Sequence, residues 1–212
     1  MRKRMFILCF LFILTGCTKV NNPSEYINLV TECLASNKIT NDVSLGYKYY
    51  VPRGVEKVHD YNYNQVFLSD NCSLYLYVDI ISYYYKKTLQ PAQTENEFYY
   101  KTFNYDNKKG YLKIEQQENQ YLVTMVYNYS KIEVYTPKEK LNKMVTLASI
   151  ILNSITYNDT VIEKVLEGNL GEFSEFTYEV KKPDGASSNF SQYLEEYVQK
   201  DEQPQEEKLP DE

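Results

Sequence analysis

The spacing of apolar and polar positions along this 212-residue chain changes several times, and each change marks an element. Tyr26, Ile27, Val30, Cys33 and Leu34 recur at helical spacing opposite Glu25, Asn28 and Glu32. They predict a helix from an N-cap at Ser24 to about Ser36. Leu45 to Pro52 reads as a strand stopped by Pro52-Arg53-Gly54, a turn signal. Residues 55 to 72 are more polar, with a short strand over Gln65 to Leu68 and a solvated loop around His59. Leu74, Leu76, Val78 and Ile80 then alternate with Tyr75, Tyr77 and Asp79, so Ser73 to Ser82 is a strand, continuing through Tyr83 to Lys87. Gln90 to Asn96 reads as loop.

Further strands are predicted at Phe98 to Tyr105, Gly110 to Gln116, Gln120 to Tyr127 and Ile132 to Tyr135. Short turns at Asp106 to Gly110 and Asn128 to Lys131 make them an antiparallel meander. Pro137 suits the first turn of a helix. Thr136 followed three residues later by Glu139 has the capping-box pattern. Leu141, Met144, Val145, Ala148, Ile151, Leu152 and Ile155 form one apolar stripe, which should lie across the sheet. The fold class expected is therefore α+β: a twisted antiparallel sheet packed by an N-terminal helix and a long helix near 137–157. Beyond it, Thr160 to Leu166 and Asn189 to Gln199 read as helices and Phe173 to Val180 as a strand. The acidic, proline-containing end from Lys200 is predicted to be disordered.

The first residues have another character. Arg2, Lys3 and Arg4 precede a ten-residue apolar run, Met5 to Leu14, and then Thr15, Gly16 and Cys17. A transmembrane helix needs about 20 apolar residues. This run has the length of a signal-peptide core. Leu14-Thr15-Gly16-Cys17 resembles the lipobox of bacterial lipoproteins. The resemblance implies cleavage before Cys17, diacylglycerol on its thiol, and residence on the extracytoplasmic face of the cell membrane. Two acyl chains suffice for stable anchoring at about 0.8 kcal/mol per buried methylene. The division expected is a signal peptide at 1–16, a tether at 17–24, an α+β domain at 25–158, an extension at 159–199 and an acidic tail at 200–212.

The order of elements from Leu45 to Tyr157 also resembles the PsbP/Mog1-like fold. The phrases that carry this are Gly46-Tyr47-Lys48-Tyr49-Tyr50-Val51-Pro52 and Ile151-Leu152-Asn153-Ser154-Ile155. Members include photosystem accessory proteins, a nuclear transport factor and bacterial lipoproteins, so the resemblance implies a fold and leaves function open.

Charge narrows the partners. Without residues 1–16, 20 basic and 29 acidic residues remain, a formal net of −9. Glu195 to Glu212 alone holds eight acids and two lysines. Nucleic acid is not an expected partner, because it calls for a basic footprint. The expected partners are the membrane, through Cys17, and an envelope protein, peptide or glycan.

Candidate chemistry is sparse. His59 is the only histidine and has no nucleophile motif beside it. Too few Cys and His residues remain for a zinc site, and no phosphate-binding glycine motif occurs. No cofactor or catalytic residue is assigned. Cys33 and Cys72 form either a disulfide or two separate buried thiols. The chain has 23 tyrosines and no tryptophan. Tyr75, Tyr77, Tyr83, Tyr84 and Tyr85 are the candidate aromatic binding surface, since tyrosine offers an apolar face and a polar tip. The function expected is a non-enzymatic binding or assembly module of the envelope. A hydrolase with carboxylates scattered in sequence is the alternative.

Overall fold

The computed structural model describes residues 25–89 and 97–168. The fold is α+β. One antiparallel sheet has seven strands: β3 (Glu56–Tyr61), β4 (Asn64–Ser69), β5 (Cys72–Val78), β6 (Tyr99–Tyr105), β7 (Lys108–Gln117), β8 (Gln120–Tyr127) and β9 (Ser130–Thr136). Their order is β3-β4-β5-β9-β8-β7-β6. Two meanders thus meet where β5 lies against β9, with Leu74 opposite Val134 and Leu76 opposite Ile132. A smaller sheet holds β1 (Asp42–Ser44), β2 (Tyr47–Tyr49) and β10 (Thr156–Tyr157), with β2 central. Four helices complete the described fold: α1 (Glu25–Leu34), α2 (Ile80–Tyr84), α3 (Leu141–Ser154) and α4 (Asp159–Leu166).

Alternation fixes which face is covered. Leu74, Leu76 and Val78 of β5, Ile132 and Val134 of β9, and Val123 and Met125 of β8 all point inward and are essentially inaccessible. The α3 stripe, Leu141, Met144, Val145, Ala148, Ile151 and Leu152, closes over them. Each such aliphatic side chain contributes about 1.5–3 kcal/mol when fully buried. α1 packs on α3 through Tyr26, Val30 and Leu34. Tight turns hold the register. Asp70-Asn71, Asp106-Asn107 and Asn128-Tyr129 all have positive φ, as two-residue hairpin turns of the right twist require. Gly110 is needed beside one of them, because a Cβ would collide with the Val126 carbonyl and the Phe103 ring.

Several expectations change. The strand expected to run on to Lys87 stops at Val78, because the Asp79 carboxylate accepts from Ser82 N at 2.8 Å and caps α2 instead. Residues 56–69 form a complete hairpin, β3 and β4, where only Gln65 to Leu68 was expected to be extended. His59 lies on β3 with its ring stacked on Tyr61, not in a loop. The segment around Tyr47 is a three-residue strand of the small sheet, paired with β10. The capping box at Thr136 does not form. Thr136 ends β9, its hydroxyl bonds to the Pro137 carbonyl, and a short 3-10 turn at Lys138–Lys140 leads into α3.

The loop expected at Gln90 to Asn96 and the remaining expectations at the two ends, including Cys17, the strand at Phe173 to Val180 and the helix at Asn189 to Gln199, lie outside the described residues.

Candidate functional site: a lysine-lined groove beside a strained turn

The site begins with the β8–β9 turn. Tyr129 has φ +61°, a conformation uncommon for a bulky side chain. Such a backbone persists only where the surroundings hold it. Here three groups do. Asp79 N donates to Tyr129 O at 2.9 Å. The Tyr157 hydroxyl donates to Asn128 O at 2.8 Å and lies 2.9 Å from Ser130 Oγ. The Tyr83 ring meets Tyr129 edge-on, with centroids 5.7 Å apart.

Tyr83 ties this turn to the C-terminal helix. Its ring stacks on Tyr157 at 3.8 Å, and its hydroxyl donates to Asp159 Oδ1 at 2.7 Å, at the start of α4. Burial, followed by the Asp159 carboxylate, pushes the Tyr83 phenol up to about 12. Tyr157 lies higher still above its ordinary range, chiefly through burial. Both therefore stay protonated donors at neutral pH.

Beside the same turn is a groove of about 610 Å³. Ser82, Lys86 and Lys87 line it from α2 and the residues after it, Asn107 from the β6–β7 turn, and Lys108 and Lys109 from the start of β7. Tyr77, Val126, Asn128, Tyr129, Ser130 and Lys131 also line it, and Lys108 lines the second pocket described below as well. Five lysines from three segments thus line one space, whose single carboxylate among the described residues is Asp79. That carboxylate is committed to the α2 cap. Lys108 is 3.7 Å from Asp106, and Lys131 is 3.1 Å from Glu133. Lys86 sits 3.8 Å over the Tyr83 ring, a cation–π contact. Lys87 and Lys109 are exposed and form no ion pair among the described residues. The groove is within the 300–1,000 Å³ range of small-ligand sites. Its charge attracts anions and concentrates them locally.

A second pocket, about 620 Å³, lies between the end of α1, the β6–β7 turn and β10. Its polar groups are engaged within the fold. Asn153 Nδ2 donates to the Leu34 and Ser36 carbonyls, completing the C-terminal end of α1. Asp106 is the one carboxylate here. Neither pocket brings two acids together, and no cluster of three or more metal-ligating side chains occurs among the described residues.

The tyrosines singled out in sequence do not form one surface. Tyr75 and Tyr77 share the outer face of β5, opposite Glu133 and Lys131 of β9. Tyr83 is packed inside the joint with α4. Tyr84 and Tyr85 meet edge-on at the end of α2, where Tyr85 is 63% exposed. Tyr77 is the only one that reaches the groove. Cys33 and Cys72 are free and buried on α1 and β5, so the structure has separate thiols rather than a disulfide. Burial raises both thiols above their ordinary range, and Cys72 Sγ donates to Thr136 Oγ1 at 3.7 Å.

The groove lysines were missed in sequence. The available signal was two Lys-Lys pairs, at 86–87 and 108–109, one just after α2 and one at the start of β7. Taken alone, each resembles an ordinary solvated turn. No protein-family model matches this chain, and no curated protein matches it at a significant level.

Proposed function

We propose that this chain is a lipid-anchored, extracytoplasmic lipoprotein whose α+β unit is a non-enzymatic binding module of the cell envelope, with the lysine groove as its binding surface. The observation that carries the binding half is the convergence of Lys86, Lys87, Lys108, Lys109 and Lys131 on one concavity, in a chain that is otherwise acidic. A pocket of that charge binds; it lacks the paired acid and base that hydrolysis calls for. Asp79 already accepts the Ser82 amide, so it is poorly suited to proton transfer.

The anchoring half rests on Leu14-Thr15-Gly16-Cys17 and the basic, apolar residues before it. The resemblance to PsbP/Mog1-like proteins is compatible with the pairing of β2, inside the first phrase that suggested it, with β10, which directly follows the second. Fractionation tests the anchor. Cys17→Ala should release the protein from the membrane fraction, and full retention would refute lipid attachment. Cross-linking in intact cells tests the groove: Lys87→Glu with Lys109→Glu should abolish the adducts that the unsubstituted protein forms. Unchanged adducts would move the binding surface elsewhere.

A further inference from the structure

Resting on that reading of the groove, we infer that its ligand is a phosphate-bearing polyanion, held by Lys86 and Lys87 after α2 and by Lys108 and Lys109 at the start of β7. Three features of the lining point to this class. First, the cations come from three segments: Lys86 and Lys87 after α2, Lys108 and Lys109 on β7, and Lys131 on β9. An extended anion with repeated charges meets all three at once, whereas a single carboxylate reaches one.

Second, every cation that lines the groove among the described residues is a lysine. A guanidinium fork matches carboxylate and phosphate alike, while an ammonium acts as a compact point charge that binds a phosphate from any direction. The carboxylate control below separates the two anion classes. Third, Tyr77, Tyr129 and Val126 line the same space. They give the carbon part of an organic phosphate, such as a lipid's glycerol, an apolar surface. Two of the cations, Lys87 and Lys109, have no competing carboxylate partner among the described residues, so they carry the largest share of the attraction.

Phosphate groups reach an extracytoplasmic protein from two sources, anionic phospholipid headgroups and soluble phosphate polymers. The test uses the full chain with Cys17→Ala, so that no acyl group drives association. Inorganic polyphosphate, phosphatidylglycerol vesicles and phosphatidylcholine vesicles serve as probes, and polyglutamate as the carboxylate control. Binding to polyphosphate or to phosphatidylglycerol, but not to phosphatidylcholine, is expected. Which of the two binds more tightly identifies the source. Lys87→Glu with Lys109→Glu should weaken binding at least tenfold, Lys87→Arg with Lys109→Arg should keep most of it, and rising salt should weaken it steeply through counterion release.

Far-ultraviolet circular dichroism and the thermal midpoint verify that the variants fold. Failure of both phosphate probes, or binding that the Glu variants leave intact, overturns the inference. Polyglutamate binding as tightly as polyphosphate, with the same dependence on Lys87 and Lys109, overturns the phosphate class and leaves the groove as a binding surface. Cellular cross-links that also ignore the two lysines overturn both readings.

Discussion

Two regions meet at the Asn128-Tyr129 turn and differ in kind. In one, Tyr157, Tyr83 and Ser130 lock the turn with stacked rings and buried hydroxyls. In the other, Lys86, Lys87, Lys108, Lys109 and Lys131 line a groove. Ring stacking and satisfied hydroxyls stabilise the fold. Gathered like charges repel one another unless offset. Lys108, Lys131 and Lys86 are offset by Asp106, Glu133 and the Tyr83 ring, whereas Lys87 and Lys109 form no ion pair among the described residues. The contrast separates what maintains the molecule from what it can act with.

That contrast can be broken by mutation, beginning with the largest effect. Ile132→Ala removes a fully buried side chain from the centre of the inner face. It should lower unfolding free energy by about 2–5 kcal/mol. Chemical denaturation measures this, and a loss below about 1 kcal/mol would mean that the inner face is not the core.

Tyr157→Phe keeps the stack on Tyr83 and deletes the hydroxyl that holds Asn128 O. A loss of about 1–2 kcal/mol is expected, since the buried carbonyl and Ser130 lose a partner. Asp79→Ala removes the cap of α2 and should cost about 1 kcal/mol. If the groove wall depends on α2, the same variant also weakens anion binding.

Alkali probes the joint without mutation. The Tyr83 phenol is raised from its usual value near 10 to about 12 in the folded protein. The folded state therefore holds that proton more tightly than the unfolded chain. Its contribution is fully present below pH 10 and is lost as pH rises through about 12. Tyr83→Phe should flatten the fall in stability in that window, and an unchanged curve would count against a buried, bonded phenol. The smallest change in stability belongs to the groove. Lys87→Glu or Lys109→Glu should shift unfolding free energy by no more than about 0.5 kcal/mol, as for exposed positions generally.

How far the sequence discloses these two regions differs for a physical reason. The inner face follows from local periodicity: Leu74, Leu76 and Val78 alternate, and Leu141 to Ile155 keep helical spacing, so one glance along the chain finds them. The α3 stripe is entirely buried, as its pattern requires. Periodicity failed at residue 79, where Asp79, a residue that reads equally as a strand position, caps a helix instead. It failed again at β3, whose partly exposed residues Glu56, Lys57 and Asp60 obscure the alternation. There, pairing with β4 decides the structure.

The groove has no local signature at all. Lys86-Lys87 and Lys108-Lys109 are 22 positions apart and Lys131 is 22 positions further on. Only the return of β9 beside β5, and of β7 beside β8, brings them to one concavity. Tyrosine abundance drew attention first. Yet Tyr83 is part of the structural joint, and only Tyr77 of the five chosen tyrosines lines the groove. Charge gathered by topology, rather than aromatic content, marks the surface proposed to bind.

The most direct test of that surface is residue-resolved nuclear magnetic resonance of the nitrogen-labelled chain, titrated with inorganic polyphosphate at low salt. Shift changes concentrated at Lys86, Lys87, Lys108, Lys109, Tyr129 and Lys131 would show anion binding at the groove. Changes confined to other lysines, or none at all, would contradict it.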